Sequence, residues 1–240
     1  MGPRSAVILR NVKKSFLSGG ASLDVLDIEH LALPVGSATV LKGRSGSGKT
    51  TLLNLISGIA VPSAGTVQVD HTDVFALSEA RRDRFRAGQV GYVFQSFNLL
   101  SAFSAIENVM LAMMFASAVP KRLRRSRAAE LLTRLGLAAR LAHKPQQLSR
   151  GEQQRVAVAR ALANGAPLIL ADEPCASLDA RTAKDVLASF LAVCRQDQKT
   201  LLLVSHDANA LQGADRVLDM ADLNRAESRE SAAVSETVVQ

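Results

Sequence analysis

Tryptophan is absent from this chain of 240 residues, tyrosine occurs once, and eight phenylalanines complete the aromatic set. The interior must therefore be filled mainly by Leu, Val, Ile and Ala. Cysteine is almost as scarce: Cys175 and Cys194 are the only two, which excludes a disulfide framework and fits a reducing compartment. Long apolar runs are missing as well. The longest, 109–119, holds eleven residues, one of them serine, whereas a membrane-spanning helix needs roughly 18 or more. No apolar stretch of signal-peptide length follows the first five residues, so the expected location is the cytoplasm.

Acidic residues are outnumbered, 22 against 29 Lys and Arg, for a net charge of +7. That balance admits nucleic acid, an anionic membrane surface or a polyphosphate ligand. The cations concentrate at Arg81-Arg82-Asp83-Arg84-Phe85-Arg86 and Lys121-Arg122-Leu123-Arg124-Arg125-Ser126-Arg127. Neither cluster has the interleaved aromatics or the module of a nucleic-acid binder, so each reads as a solvated helix face and no nucleic acid is expected.

Short β-branched runs alternate with helical patterns, which predicts an α/β fold. Strands are expected at 7–9, 38–41, 66–69, 90–94, 168–171 and 201–204, and those at 168 and 201 are apolar throughout, as in buried parallel strands. Helices are expected at 49–58, 180–196 and 207–213. The alternating segment 23–28 predicts antiparallel sheet. Between 97 and 165 only helical patterns occur, which reads as a lobe inserted into the α/β core. The expected ordered domain is 1–225, followed by a Ser-, Glu- and Ala-rich tail, 226–240, expected to be disordered.

Gly43-Arg44-Ser45-Gly46-Ser47-Gly48-Lys49-Thr50 matches G-x-x-x-x-G-K-[ST] in full, between a strand and a helix that begins with Thr51. Such a loop curls its N–H groups around phosphates, and the helix end adds partial positive charge. Lys49 is placed to reach the β- and γ-phosphates and the Thr50 hydroxyl to ligate Mg²⁺. Leu168-Ile169-Leu170-Ala171 runs directly into Asp172 and Glu173. Asp172 is a candidate to hold the Mg²⁺ and Glu173 to accept a proton from an attacking water. His206 follows the next apolar strand and is a candidate for positioning that water. Gln95 follows the strand at 90 and could ligate Mg²⁺ through its amide. These residues describe a site for ATP and Mg²⁺.

Leu148-Ser149-Arg150-Gly151-Glu152-Gln153-Gln154-Arg155 resembles the signature motif of ABC ATPases. With Gln95, Asp172-Glu173, Ser177-Leu178-Asp179 and His206 in the family's order, the similarity covers about residues 6 to 220. The resemblance implies a P-loop NTPase core with a parallel sheet, an antiparallel β subdomain and an inserted helical lobe. It also implies that Ser149, Gly151 and Glu152 face the γ-phosphate of ATP held by a second copy of the chain, and that Phe16 stacks on adenine. Ser149-x-x-Glu152 also forms a capping box that leaves a helix N-terminus free for an anion.

Finer similarity, at 90–100 and 106–109, is to the ATPases of lipoprotein-release and macrolide-export transporters. That implies an integral membrane permease as partner and a peripheral position on the inner face of the cell membrane. The helical lobe with Met110, Met113, Met114 and Phe115 would receive the partner, although core packing accounts for most of those side chains. A regulatory membrane-tethered ATPase and a soluble ABC ATPase stay open as alternatives. The repair and chromosome types of the latter insert a long coiled coil after the Gln95 position, and only 53 residues separate Gln95 from Leu148. Three positions depart from the family pattern: Arg150 stands where Gly is usual, Glu152 where Gln is usual, although Glu occurs in this subfamily, and Cys175 where Thr is common.

Overall fold

A computed structural model describes residues 4–18, 21–116 and 118–226. A long hairpin, β1 (Ser5–Ser18) and β2 (Ala21–Pro34), is followed by β3 (Ala38–Lys42) and α1 (Lys49–Ile56). Then come β4 (Ala64–Val69), β5 (Thr72–Asp73), α2 (Glu79–Gln89) and β6 (Val90–Val93). Three helices, α3 (Ala105–Ala116), α4 (Arg124–Arg134) and α5 (Arg150–Leu162), occupy the middle of the chain with short 3-10 turns between them. β7 (Leu168–Asp172), α6 (Ala180–Gln196), β8 (Thr200–Val204), α7 (Ala208–Gln212), β9 (Arg216–Asp219) and α8 (Met220–Leu223) complete the order.

The strands form two sheets, an antiparallel one in the order β2-β1-β4-β5 and a parallel one in the order β6-β7-β8-β3-β9. The second is the α/β core that the alternating pattern predicts. β7 and β8 are buried along their whole length, which explains their unbroken apolar sequence. Their side chains alternate between two separate cores. Ile169, Ala171, Leu201 and Leu203 pack with the lobe helices and Phe190 of α6. Leu168, Leu170, Leu202 and Val204 pack with Leu52, Leu53 and Ile56 of α1 and with the antiparallel sheet. The parallel sheet is thus the wall between the nucleotide-loop side and the helical side.

Within 97–165 no strand occurs among the described residues, as the sequence pattern predicts. The lobe is joined to the sheet at Gly91 of β6. A Cβ there would lie 2.3 Å from the Ala161 carbonyl of α5 and 2.7 Å from Ile169 Cδ1. Gly91→Ala must push the signature-bearing helix off the sheet. We expect a loss of about 2–3 kcal/mol and a fall in Tm of roughly 4–12 °C, read by thermal unfolding. An unchanged Tm would show that α5 can shift freely.

Several boundaries differ from the sequence pattern. β1 and β2 are each 14 residues long, because pairing continues through register shifts at Ser5/Val7 and Lys14/Ser15 that break the apolar alternation. Phe94 falls outside β6, and β9 and α8 occupy a stretch to which the sequence pattern assigns no element. Ala226, assigned to the tail, is 6% exposed and its N–H donates to Asn224 Oδ1. The expected disorder of the rest of that tail falls on 227–240, outside the described residues.

Candidate nucleotide site

The loop between β3 and α1 takes its shape from its glycines. Gly48 has φ +92°, and a Cβ there would strike Leu26 Cδ2 at 2.7 Å and the Val25 carbonyl at 3.0 Å. The loop is therefore pressed against β2, and only glycine fits. Asn224, just past α8, clamps the same contact: its Nδ2 donates to the carbonyls of Val25 (2.9 Å) and Ser47 (3.2 Å), while its Oδ1 accepts the Asp27 N–H at 2.9 Å.

Inside the loop, Lys49 is 7% exposed and its Nζ donates to the carbonyls of Gly43 (2.7 Å) and Arg44 (2.6 Å). Thr50 Oγ1 donates to Asp172 Oδ2 at 2.7 Å. This bond joins the head of α1 to the tip of β7, which the parallel register sets beside β8. Burial pushes the Asp172 carboxyl up; the Thr50 hydroxyl pulls it down, Glu173 adds to the rise and Lys49 opposes it, with a net upward shift. Glu173 has φ 42°, a left-handed conformation that costs a non-glycine residue about 1 kcal/mol or more. Its N–H donates to the Val204 carbonyl at 3.0 Å, so the neighbouring strand holds the turn. His206, after β8, places Nε2 3.9 Å from Glu173 Oε1.

One cleft of about 280 Å³ gathers Ser45, Gly46, Gly48, Lys49, Thr50, Thr51, Gln95, Asp172, Glu173 and Val25. Nothing in the sequence marks Val25, since an alternating strand gives no sign of what its exposed edge faces. The cleft fits a polyphosphate. Among the described residues, chain neighbours aside, no heavy atom lies within 4 Å of a Cβ placed on Gly46, and Ser47 Oγ is buried with no hydrogen-bond partner there. The hydroxyl of Thr50, the carboxylate of Asp172 and the amide of Gln95 form an all-oxygen donor set, the kind Mg²⁺ takes.

Ser149, Gly151 and Glu152 are not among the residues lining that cleft. The predicted capping box is present: Ser149 Oγ accepts the Glu152 N–H at 3.2 Å, and Glu152 Oε2 accepts the Ser149 N–H at 2.8 Å. Gly151 is fixed by packing, since a Cβ would meet Thr182 Cγ2 at 2.4 Å. Arg150 Nη1 donates to the Ser177 carbonyl at 3.2 Å, so the unusual cation turns toward the Ser177-Leu178-Asp179 segment. Phe16 is also apart from the cleft lining. It is 46% exposed, with Lys14 Nζ 4.8 Å from its ring centroid, so it is no core residue and offers a ring to solvent. Cys175, another departure, is buried, and burial followed by the Asp207 charge pushes its thiol up to about 12, which keeps it an unreactive packing group.

Arg160 of α5 is a further residue the motifs miss. Its guanidinium donates to the carbonyls of Phe97 (2.8 Å) and Asn98 (2.5 Å), fixing the loop that follows Gln95. Nothing in the sequence separates this arginine from its many solvated neighbours.

The family model described as "ABC transporter" matches residues 26–176. Among curated proteins, the lipoprotein-releasing system ATP-binding protein LolD of Syntrophotalea carbinolica is 42% identical over 212 residues, covering 88% of this chain and 93% of that one. The macrolide export ATP-binding/permease protein MacB of Rhodopseudomonas palustris is 40% identical over 218 residues, covering 91% of this chain but only 33% of that protein. Among solved structures, the dimeric ATP-binding cassette MJ0796 in a post-hydrolysis state bound to ADP and Pi superposes with a TM-score of 0.81 at 37% identity, covering 91% of this chain and 94% of that one. With a family model over residues 26–176 and relatives 42% and 40% identical across 88% and 91% of its length, the chain belongs to the ABC transporter family as an ATP-binding subunit that hydrolyses ATP.

Proposed function

We propose that two copies of this chain close around two ATP and two Mg²⁺, each cleft being completed by Ser149, Gly151 and Glu152 of the other copy, and that the closure drives an integral membrane permease. The observation that carries this reading is the separation described above. Lys49, Thr50, Gln95, Asp172 and Glu173 line one cleft with part of the phosphate loop, while Ser149, Gly151 and Glu152 at the capped N-terminus of α5 are not among its lining, and a helix N-terminus is a ready site for an anion. The dimeric structures of a cassette 37% and 38% identical support the two-copy arrangement.

When bound, Mg²⁺ neutralises charge on the phosphates; Thr50, Asp172 and Gln95 would hold it. Lys49 and the loop N–H groups hold the β- and γ-phosphates, and Phe16 offers its exposed ring to the adenine. Glu173 accepts the proton of the attacking water, and His206 orients that water from the neighbouring strand end.

No helix among the described residues is long and apolar enough to cross a membrane, so the proposed position on the inner face of the membrane depends on the permease. A second cleft, about 360 Å³, lies between α2, β6, α3 and α5 and is lined by Arg86, Tyr92, Ala112, Phe115, Arg160 and Asn164. Of the methionine group, Met113 is buried and Met110 is packed on the core, whereas Met114 and Phe115 are 56% and 83% exposed. Phe115, which shares this cleft with the arginine that grips the loop after Gln95, suits a permease element whose movement must be felt at the site. Its class would be that of the lipoprotein-releasing and macrolide-export systems.

The test is affinity purification of tagged Glu173→Gln protein from detergent-solubilised cells with Mg-ATP, followed by mass spectrometry. The expected result is an integral membrane protein with few spans and a large extracytoplasmic domain, lost when Phe115→Asp is added. Recovery of soluble proteins or nucleic acid alone would overturn the transporter reading.

A further inference from the structure

Between α4 and α5 stands a cation that no motif includes. Arg140 ends the 3-10 turn Ala138–Arg140, and the main chain around it is anchored. Its N–H donates to the Leu137 carbonyl at 2.9 Å, and the carbonyls of Leu141 and His143 accept the N–H groups of Ile106 (3.0 Å) and Ala105 (2.8 Å) at the head of α3. From that footing Arg140 Nε donates to Glu152 Oε1 at 2.9 Å. The other carboxylate oxygen accepts the Ser149 N–H at 2.8 Å. Both oxygens of Glu152 are therefore engaged, one by the cap and one by Arg140.

A carboxylate in the first turn suits the helix, because it faces the positive end of the dipole. It does not suit an approaching anion. Under the two-copy reading, on which this inference rests, that anion is the triphosphate held by the other chain, and the Glu152 carboxylate adds a repulsive charge beside it. Glutamine would make the same cap without the charge. We propose that Arg140 is a positioning residue for the ATP-dependent dimer: it pairs with the Glu152 carboxylate so that the signature turn can receive the triphosphate of the partner copy. The carboxylate is ionised there. Burial pushes it up, but the Ser149 N–H and the Arg140 side chain outweigh burial and hold it below the usual glutamate range.

The test uses the full chain in the Glu173→Gln background and reads the ATP concentration, with magnesium present, that gives half-maximal dimer on sizing. Adding Arg140→Ala should raise that concentration about tenfold, the scale of one charge-assisted contact, and Arg140→Lys should restore most of it. When Glu152→Gln is also present, Arg140→Ala should shift it by less than about twofold, since no charge is left to offset. No shift from Arg140→Ala overturns the proposal. So does a shift of equal size with Glu152→Gln, because Arg140 would then merely brace the turn. Thermal unfolding checks each variant, and Arg140→Gln repeats the test should Arg140→Ala unfold. If Glu173→Gln alone stays monomeric at saturating ATP, the two-copy reading itself fails and takes this inference with it.

Discussion

Glu173→Gln should bind ATP as the native chain does, lose turnover by roughly 10²–10⁴-fold, the range a positioned general base contributes, and accumulate as an ATP-bound dimer. Two carboxylates stand at the tip of β7, and the structure gives them different surroundings. Asp172 accepts the Thr50 hydroxyl at 2.7 Å and is 9% exposed, so it faces the loop and the proposed metal. Glu173 turns away from it through a left-handed backbone that the Val204 carbonyl holds in place. Its carboxylate lies within 3.9 Å of His206 and lines the cleft. Glutamine keeps the volume and the hydrogen-bonding shape but cannot accept a proton, so binding and chemistry should separate. Phosphate release and sizing with Mg-ATP read the two effects independently. Turnover within tenfold of native would move the base to another group.

The part of the site that was legible in the sequence lies within single segments. The phosphate loop is eight consecutive residues whose glycines, lysine and threonine each have a local reason to be there. Asp172 and Glu173 follow an apolar strand that can only be a buried one, and the range 180–196 is met residue for residue because Asp179 caps α6 by accepting the Thr182 N–H. What was not legible is what distant segments do to one another. Asn224 grips Val25 and Ser47 from 199 and 177 residues away, and Arg160 holds carbonyls 62 and 63 residues earlier. Arg140 lies only 12 residues from Glu152, yet it belongs to no motif and to neither basic cluster, and only the fold singles it out. The long hairpin was underestimated for a different reason: Lys13, Lys14 and Ser15 interrupt its apolar alternation at a register shift, while hydrogen bonding continues across the break.

Lys49→Ala should weaken ATP binding itself by about 10- to 100-fold while leaving the melting temperature nearly unchanged. The ammonium is buried, and two of its three donors are taken by the Gly43 and Arg44 carbonyls, groups that carry no formal charge. Its positive charge is thus held in the loop by the main chain and is directed by it toward whatever anion the loop receives. A hydrogen bond to a charged partner contributes about 1.5–3 kcal/mol, which at 1.4 kcal/mol per decade gives the stated range. Alanine removes that contact and also leaves two loop carbonyls without their donor, so part of the loss should appear as a slower, looser loop rather than an unfolded chain. Calorimetric titration with ATP, alongside thermal unfolding, separates these outcomes. Affinity within about threefold of native would mean that the N–H groups of the loop and the end of α1 carry the phosphates alone, and that Lys49 serves only to brace the loop through Gly43 and Arg44.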